Sequence, residues 1–238
     1  HGIVLIEWDI SNLKKFGCGI SKIFYSVNVS SSSGSYVVDV GDEFSMMLTG
    51  TSKISAASSE KQMVQRDGTI LIPNIGKLKI AGMTLSEAEK AISDYLERTS
   101  PGVSSFISLS KVRDINILML GGVISPGIFT LSGGSNILTA LNVAGGISET
   151  GSYRKIDHKR NGKIIQTVDL YEIFIFGNMN LNTDLRSGDV LLVHPIQNSI
   201  PVSGGVNRQA IFEALPGETA SDLIKYAGNF SSAFNGHN

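Results

Sequence analysis

A single cysteine, Cys18, in 238 residues leaves no internal disulfide framework and no thiolate cage for a metal. Lys14 and Lys15 stand where a lipoprotein cysteine would need an apolar stretch, so Cys18 does not read as a lipid anchor. No run of 18 apolar residues exists, and residues 3–6 are too few for the apolar core of a signal peptide, so neither a membrane-spanning helix nor a leader is legible. A formal net charge of -1 lacks the basic excess that phosphate backbones demand and argues against nucleic acid as the main partner. Neither a P-loop nor a G-x-G-x-x-G turn is present. His1, His158, His194 and His237 are scattered, with no cysteine or carboxylate at ligand spacing. The sequence therefore nominates no catalytic residue, no cofactor and no metal site. Few prolines against 26 glycines suit short strands joined by tight turns, and a chain that is 42% hydrophobic and 17% charged has room for two or three small folded domains.

What is present is clearest at residues 67–96. Asp67-Gly68 is a turn pair, because glycine takes positive φ without steric cost and aspartate tolerates it. Ile70, Ile72 and Ile75 read as strand residues, with Pro73 at a strand end, and residues 77–80 as a second short strand. Thr84 three residues before Glu87 forms a capping box. Leu85, Ala88, Ala91 or Ile92, and Tyr95 or Leu96 recur at helical spacing and predict one buried stripe.

Residues 1–35 read as a lead-in segment and linker, with a short strand at residues 3–8 and a serine-rich run at 30–35. Residues 36–48 open the first domain as YVVDV, a Gly41-Asp42 turn and FSMML. Residues 49–60 read as a small polar loop, and strands are expected at 62–64, 106–110 and 115–120.

An internal repeat follows. Residues 121–147 and 204–230 align without a gap at an offset of 83. Gly121/Gly204, Gly122/Gly205, Val123/Val206, Ile128/Ile211, Phe129/Phe212, Gly134/Gly217, Ala144/Ala227 and Gly145/Gly228 are identical. Each copy reads as strand, turn, strand, glycine turn and short helix, the helix capped by Asn136 or Thr219 and closed by Gly145 or Gly228. A repeated packing unit means an array of like domains. Between the copies, Asn161-Gly162 predicts a hairpin, residues 169–173 a short helix, and Ser187-Gly188-Asp189 a turn into a strand at 190–193. The whole unit is then a mixed sheet gripping one helix, and the second copy ends soon after its helix.

These segments resemble a known family. DGTILIPNIGKLKIAGMTLSEAEKAI, with YVVDVGDEF before it, is similar to the periplasmic domain of Wza-type outer-membrane polysaccharide export proteins. GGVISPGIFTL and NILTALNVAGGI resemble the SLBB (soluble ligand-binding β-grasp) domain that follows it there, and the second repeat resembles another. The resemblance spans the chain from about residue 12 onward, in the expected order. It implies an α+β protein: lead-in and linker over 1–35, polysaccharide export domain over 36–112, one SLBB domain over 113–199 and a truncated second over 200–238. With a first residue other than methionine, no lipobox and no C-terminal amphipathic helix, the chain is expected to be part of a longer polypeptide, touching membrane only through segments absent from it.

The resemblance further implies a non-enzymatic, periplasmic component associated with the bacterial outer membrane. Its subunits would form a homo-oligomeric ring around a passage for capsular or extracellular polysaccharide, working with an inner-membrane polysaccharide co-polymerase. The rival reading is a soluble ligand- or glycan-binding β-grasp module without a conduit. Arg154, Lys155, His158, Lys159 and Arg160, with Lys163, cluster on the predicted hairpin. They would line a lumen for an acidic polymer or pair with acids of a neighbouring subunit; the plain alternative is a solvated hairpin whose lysines guard a sheet edge. Gly133-Gly134-Ser135 before a helix has free amides for an anion, but the second copy carries Glu218 there, which favours a simple turn. The tyrosines are too dispersed for a sugar-stacking platform.

Overall fold

The structure is a computed structural model that describes residues 13–17, 36–50, 60–178 and 184–232. The expected strand at 3–8, Cys18 and the serine-rich run lie outside the described residues.

The first unit contains β1 (Glu43–Gly50), β2 (Glu60–Met63), β3 (Thr69–Ile72), β4 (Gly76–Lys79), α1 (Leu85–Thr99) and β5 (Val103–Lys111). β1 alternates strictly, burying Phe44, Met46 and Leu48, and sits between β2 and β5 in a three-stranded antiparallel sheet. The capping box forms as the sequence predicts: Glu87 Oε2 accepts from the Thr84 amide at 2.8 Å, and the Glu87 amide donates to Thr84 Oγ1 at 3.3 Å. Of the paired alternatives in the stripe, Ile92 and Leu96 are the fully buried members, packed with Ile70 and Ile72 of β3 and with Ile80 just after β4. One expectation needs correction. Ile75 belongs to the hairpin turn with Asn74 at φ 61°, not to a strand. Ahead of β1, Val38 exchanges hydrogen bonds with Met83 O and the Gly82 amide, bracing the chain that enters α1.

The second unit contains β6 (Asp114–Gly121), β7 (Gly127–Ser132), α2 (Ile137–Val143), β8 (Gly151–Arg160), β9 (Lys163–Val168), α3 (Leu170–Phe174) and β10 (Val190–Pro195). The sheet order is β7-β6-β10-β8-β9, parallel between β6 and β10 and antiparallel elsewhere. α2 lies on one face through Ile137, Leu138, Ala140 and Leu141. This is the mixed sheet around one helix that the repeat pattern predicts. The third unit repeats its start with β11 (Ser199–Val202), β12 (Ala210–Glu213) and α4 (Ala220–Tyr226).

The repeat holds at the level of single hydrogen bonds. Val123 bridges Ile147 and Val206 bridges Phe230; the Ile124 amide donates to Gly146 O at 3.0 Å and the Asn207 amide to Asn229 O at 3.0 Å. Each pair is related by the same offset of 83. After each helix come two residues in the left-handed region, Gly145-Gly146 and Gly228-Asn229. Asparagine is the side chain best able to replace glycine there.

The lead-in is more than a linker. Residues 14–16 run parallel to β12: the Ile211 amide donates to Lys14 O at 3.0 Å and the Phe16 amide to Ile211 O at 2.8 Å. The Phe16 ring stacks on Phe212, 5.2 Å between centroids, and meets Tyr171 edge-on at 5.1 Å. One continuous apolar core therefore runs beneath both repeats and includes Phe16.

Candidate functional site

Asn161 (φ 51°) and Gly162 (φ 75°) both take the left-handed backbone of a type I′ turn, the turn whose twist matches that of the strands it joins. The hairpin β8–β9 that results carries the basic cluster. Alternation along β8 then divides that cluster, since successive side chains leave a strand on opposite faces. Lys155 and Lys159 lie on the face away from α2 with Asp157 between them, Lys155 exposed and Lys159 half-buried. Arg154 and His158 turn inward and are buried, with Arg160 on the same side at the hairpin end.

Arg154 reaches across the boundary between the repeats. Its Nη2 donates to Asp169 Oδ2 at 2.8 Å, and its Nη1 to Glu218 Oε2 at 2.5 Å and to Glu213 O at 3.2 Å. The guanidinium carbon lies 4.8 Å from the Tyr171 ring centre and 5.0 Å from that of Tyr226. Burial disfavours its charge, but the bonds to Glu218 and Asp169 more than offset this and hold it firmly protonated. Glu213, 2% exposed, is saturated on the same seam: Ser152 Oγ and the Tyr153 amide donate to its carboxylate, while its own amide donates to Tyr171 Oη at 2.9 Å. Lys15 closes the seam from the lead-in, donating to the carbonyls of Glu149 (3.2 Å) and Gly151.

At the other end of β8, His158 Nε2 lies 2.7 Å from Asp189 Oδ2, and Arg160 grips the same carboxylate through Nε and Nη2, both at 2.7 Å. Asp189 also accepts from the Arg186 amide at 2.8 Å, so the turn before β10 is tied to the hairpin. His158 Nδ1 is buried without a hydrogen-bond partner. On the outer face, Asp157 is held by His194 Nε2 at 2.7 Å and Thr167 Oγ1 at 2.7 Å. Burial raises its pKa, and these bonds reverse the direction and keep it ionised between the two lysines.

The structure thus brings the five residues onto one hairpin but gives them three roles. Arg154 ties the repeats together, His158 and Arg160 tie the hairpin to the β10 turn, and Lys155 and Lys159 are left on the outer face. The acids that complete these arrangements, Asp169, Asp189, Glu213 and Glu218, were not singled out from the sequence as partners. Asp169 heads a short helix and Glu218 sits in a turn, so each also has a local explanation. Around Gly133 and Ser135 the amides serve the protein itself, donating to Arg113 O at 2.7 Å and Ser132 O at 3.1 Å. Among the described residues no group of three His, Cys, Asp or Glu is placed to hold a metal ion, and no helix is long and apolar enough to cross a membrane.

Comparison with known proteins agrees with this architecture. Residues 30–108 match the family described as polysaccharide biosynthesis/export protein, and residues 117–168 and 200–233 match the SLBB domain. The polysialic acid transport protein KpsD of Escherichia coli is 28% identical over 180 residues, covering 75% of this chain and 31% of KpsD. The EPS I polysaccharide export outer membrane protein EpsA of Ralstonia nicotianae is 29% identical over 74% of this chain and 47% of EpsA. The capsule polysaccharide export outer membrane protein CtrA of Neisseria meningitidis is 23% identical over 75% of this chain and 47% of CtrA. The chain therefore spans between 31% and 47% of the length of these relatives. In sequence it is a polysaccharide biosynthesis/export domain followed by SLBB domains.

Proposed function

We propose that this chain is part of a polysaccharide exporter of the outer membrane and stands on the periplasmic side of it. Several copies form a ring whose axial passage conducts capsular or extracellular polysaccharide, and an inner-membrane polysaccharide co-polymerase supplies the chain to be moved. The relatives support the export role through their names, which speak of transport and export rather than of a reaction. The observation that carries the mechanical part of the reading is the shared core: two like SLBB units and the lead-in packed as one body. A conduit wall needs stacked domains that keep their angle under load, and the Arg154 seam supplies that stiffness. Conduction is passive on this reading, so the residues that meet the polymer are surface groups, Lys155 and Lys159 foremost.

The test is the mass of the full-length protein in mild detergent by light scattering, with images of the particles. A closed ring with an axial passage is expected. A stable monomer from the complete polypeptide would overturn the conduit and favour a glycan-binding module.

A further inference from the structure

The two edges of the five-stranded sheet are built differently. β9 carries Lys163 and Gln166, and its pairing with β8 is interrupted by a bulge at His158/Lys159. Charges and bulges of this kind keep an edge from pairing with another strand. β7 has neither. Its sequence, GIFTLS, holds no charge and no proline, and its register with β6 is unbroken over six pairs. Ile128 at its centre is 73% exposed.

The second repeat reveals what such an edge accepts. Ile211 is the counterpart of Ile128 at the offset of 83. It sits opposite Pro201, as Ile128 sits opposite Leu118, so both residues turn their amide and carbonyl away from the inner strand. In the second repeat both groups are used, the amide by Lys14 O and the carbonyl by the Phe16 amide. The Phe16 ring stacks on Phe212, whose counterpart, Phe129, is only partly buried on β7. In the first repeat no described residue pairs with the outer edge of β7.

We propose that the outer edge of β7 is a strand-acceptor site. It takes an extended peptide segment that adds parallel to β7, as residues 14–16 add to β12, and sets an aromatic side chain over Phe129. Main-chain hydrogen bonds to Ile128 and Thr130 hold the segment, and stacking on Phe129 selects it. This stands independently of the export reading, because it rests on the repeat alone.

Amide hydrogen exchange on the intact chain tests the site, with a synthetic peptide of the sequence of residues 13–17 as probe. In dilute protein the Ile128 and Thr130 amides exchange fast. Saturating peptide slows them at least about tenfold, as sheet pairing protects an amide, and the peptide N-methylated at phenylalanine has no effect. Ile128→Pro removes an amide that points away from β6, so the sheet keeps its ladder and its melting temperature while peptide protection is lost. Protection that grows with protein concentration also upholds the site and assigns the segment to a second copy. Two results overturn it: β7 amides that stay fast in saturating peptide, or amides already slow in dilute protein regardless of concentration.

Discussion

Arg154 of the first repeat donates to the carboxylate of Glu218 in the second at 2.5 Å, beneath two tyrosine rings. Tyr226 Oη completes the same carboxylate at 2.6 Å, so Glu218 holds the start of α4 against β8. Removing one partner from such a cluster costs far more than the pair contributes, because the remaining charges stay buried without compensation. Arg154→Ala is therefore expected to destabilise the chain by about 3–5 kcal/mol. Arg154→Lys, which keeps the charge but loses the planar fork, should fall between the two. Urea midpoints by circular dichroism measure both. A loss within about 0.5 kcal/mol, the range of an ordinary surface substitution, would refute the role of this seam.

Gly17 packs the lead-in against Tyr153. Its φ is +92°, and an added Cβ would stand 2.5 Å from Tyr153 Cε1, while Tyr153 Oη donates to Gly17 O at 3.1 Å. Gly17→Ala combines a strained backbone with an overlap against a buried ring, an expected cost of about 1–3 kcal/mol. Gly162, at φ +75° with nothing within 4 Å of its added Cβ, provides the control. Gly162→Ala meets only the backbone penalty of about 1–2 kcal/mol. Trypsin separates the two variants: cleavage after Lys14 and Lys15 should accelerate in Gly17→Ala and stay at the wild-type rate in Gly162→Ala.

These residues also mark what the sequence made legible. The Thr84–Glu87 box, the Asn161-Gly162 hairpin and both helix caps depend on groups a few residues apart, and all are read directly from spacing. The repeat was legible because its glycines serve the same turns twice. Arg154 and His158 were not distinguished from Lys155 and Lys159, because a run of basic residues on a two-sided strand looks uniformly solvated. Only partners distant in the chain, Glu218 and Asp189, draw half of them inward. Likewise nothing near Phe16 announces β12, whose edge comes from the other end of the sequence. Local chemistry was visible, while the chemistry of closure was not.

Asp189 gives the fold an acid limit. Burial raises its pKa, but bonds from Arg160, His158 and the Arg186 amide overcome this and hold the carboxyl well below the usual carboxylate range. A folded pKa below the unfolded value of about 3.9 contributes stability that is fully present above that value. It is lost as pH falls toward the folded value. Glu218 shifts in the same direction: its burial is outweighed by bonds from Arg154, Tyr226 and the Leu215 amide. Urea midpoints taken from pH 7 down to pH 3 should fall steeply below about pH 4. Asp189→Asn should be less stable than wild type at pH 7 and show a shallower acid limb, so that the two curves converge. Parallel curves would mean that Asp189 does not titrate with folding.

The two lysines on the outer face separate function from stability. Lys155 and Lys159 flank the ionised Asp157 and form no ion pair among the described residues, so Lys155→Gln with Lys159→Gln, which adds no like charge beside Asp157, should change stability by no more than about 0.5 kcal/mol per site. If they meet the exported polymer, the double variant will bind an acidic polysaccharide several-fold more weakly than wild type does. Polysialic acid, the polymer in the name of one relative, serves as the probe and neutral dextran as the control. The difference should shrink as salt rises, because exposed charges beyond a Debye length of about 8 Å at physiological ionic strength are screened. Dextran should bind both proteins alike. Unchanged polysialic acid binding at low salt would remove Lys155 and Lys159 from the polymer path and leave them as solvated groups on the outer face of an inner strand.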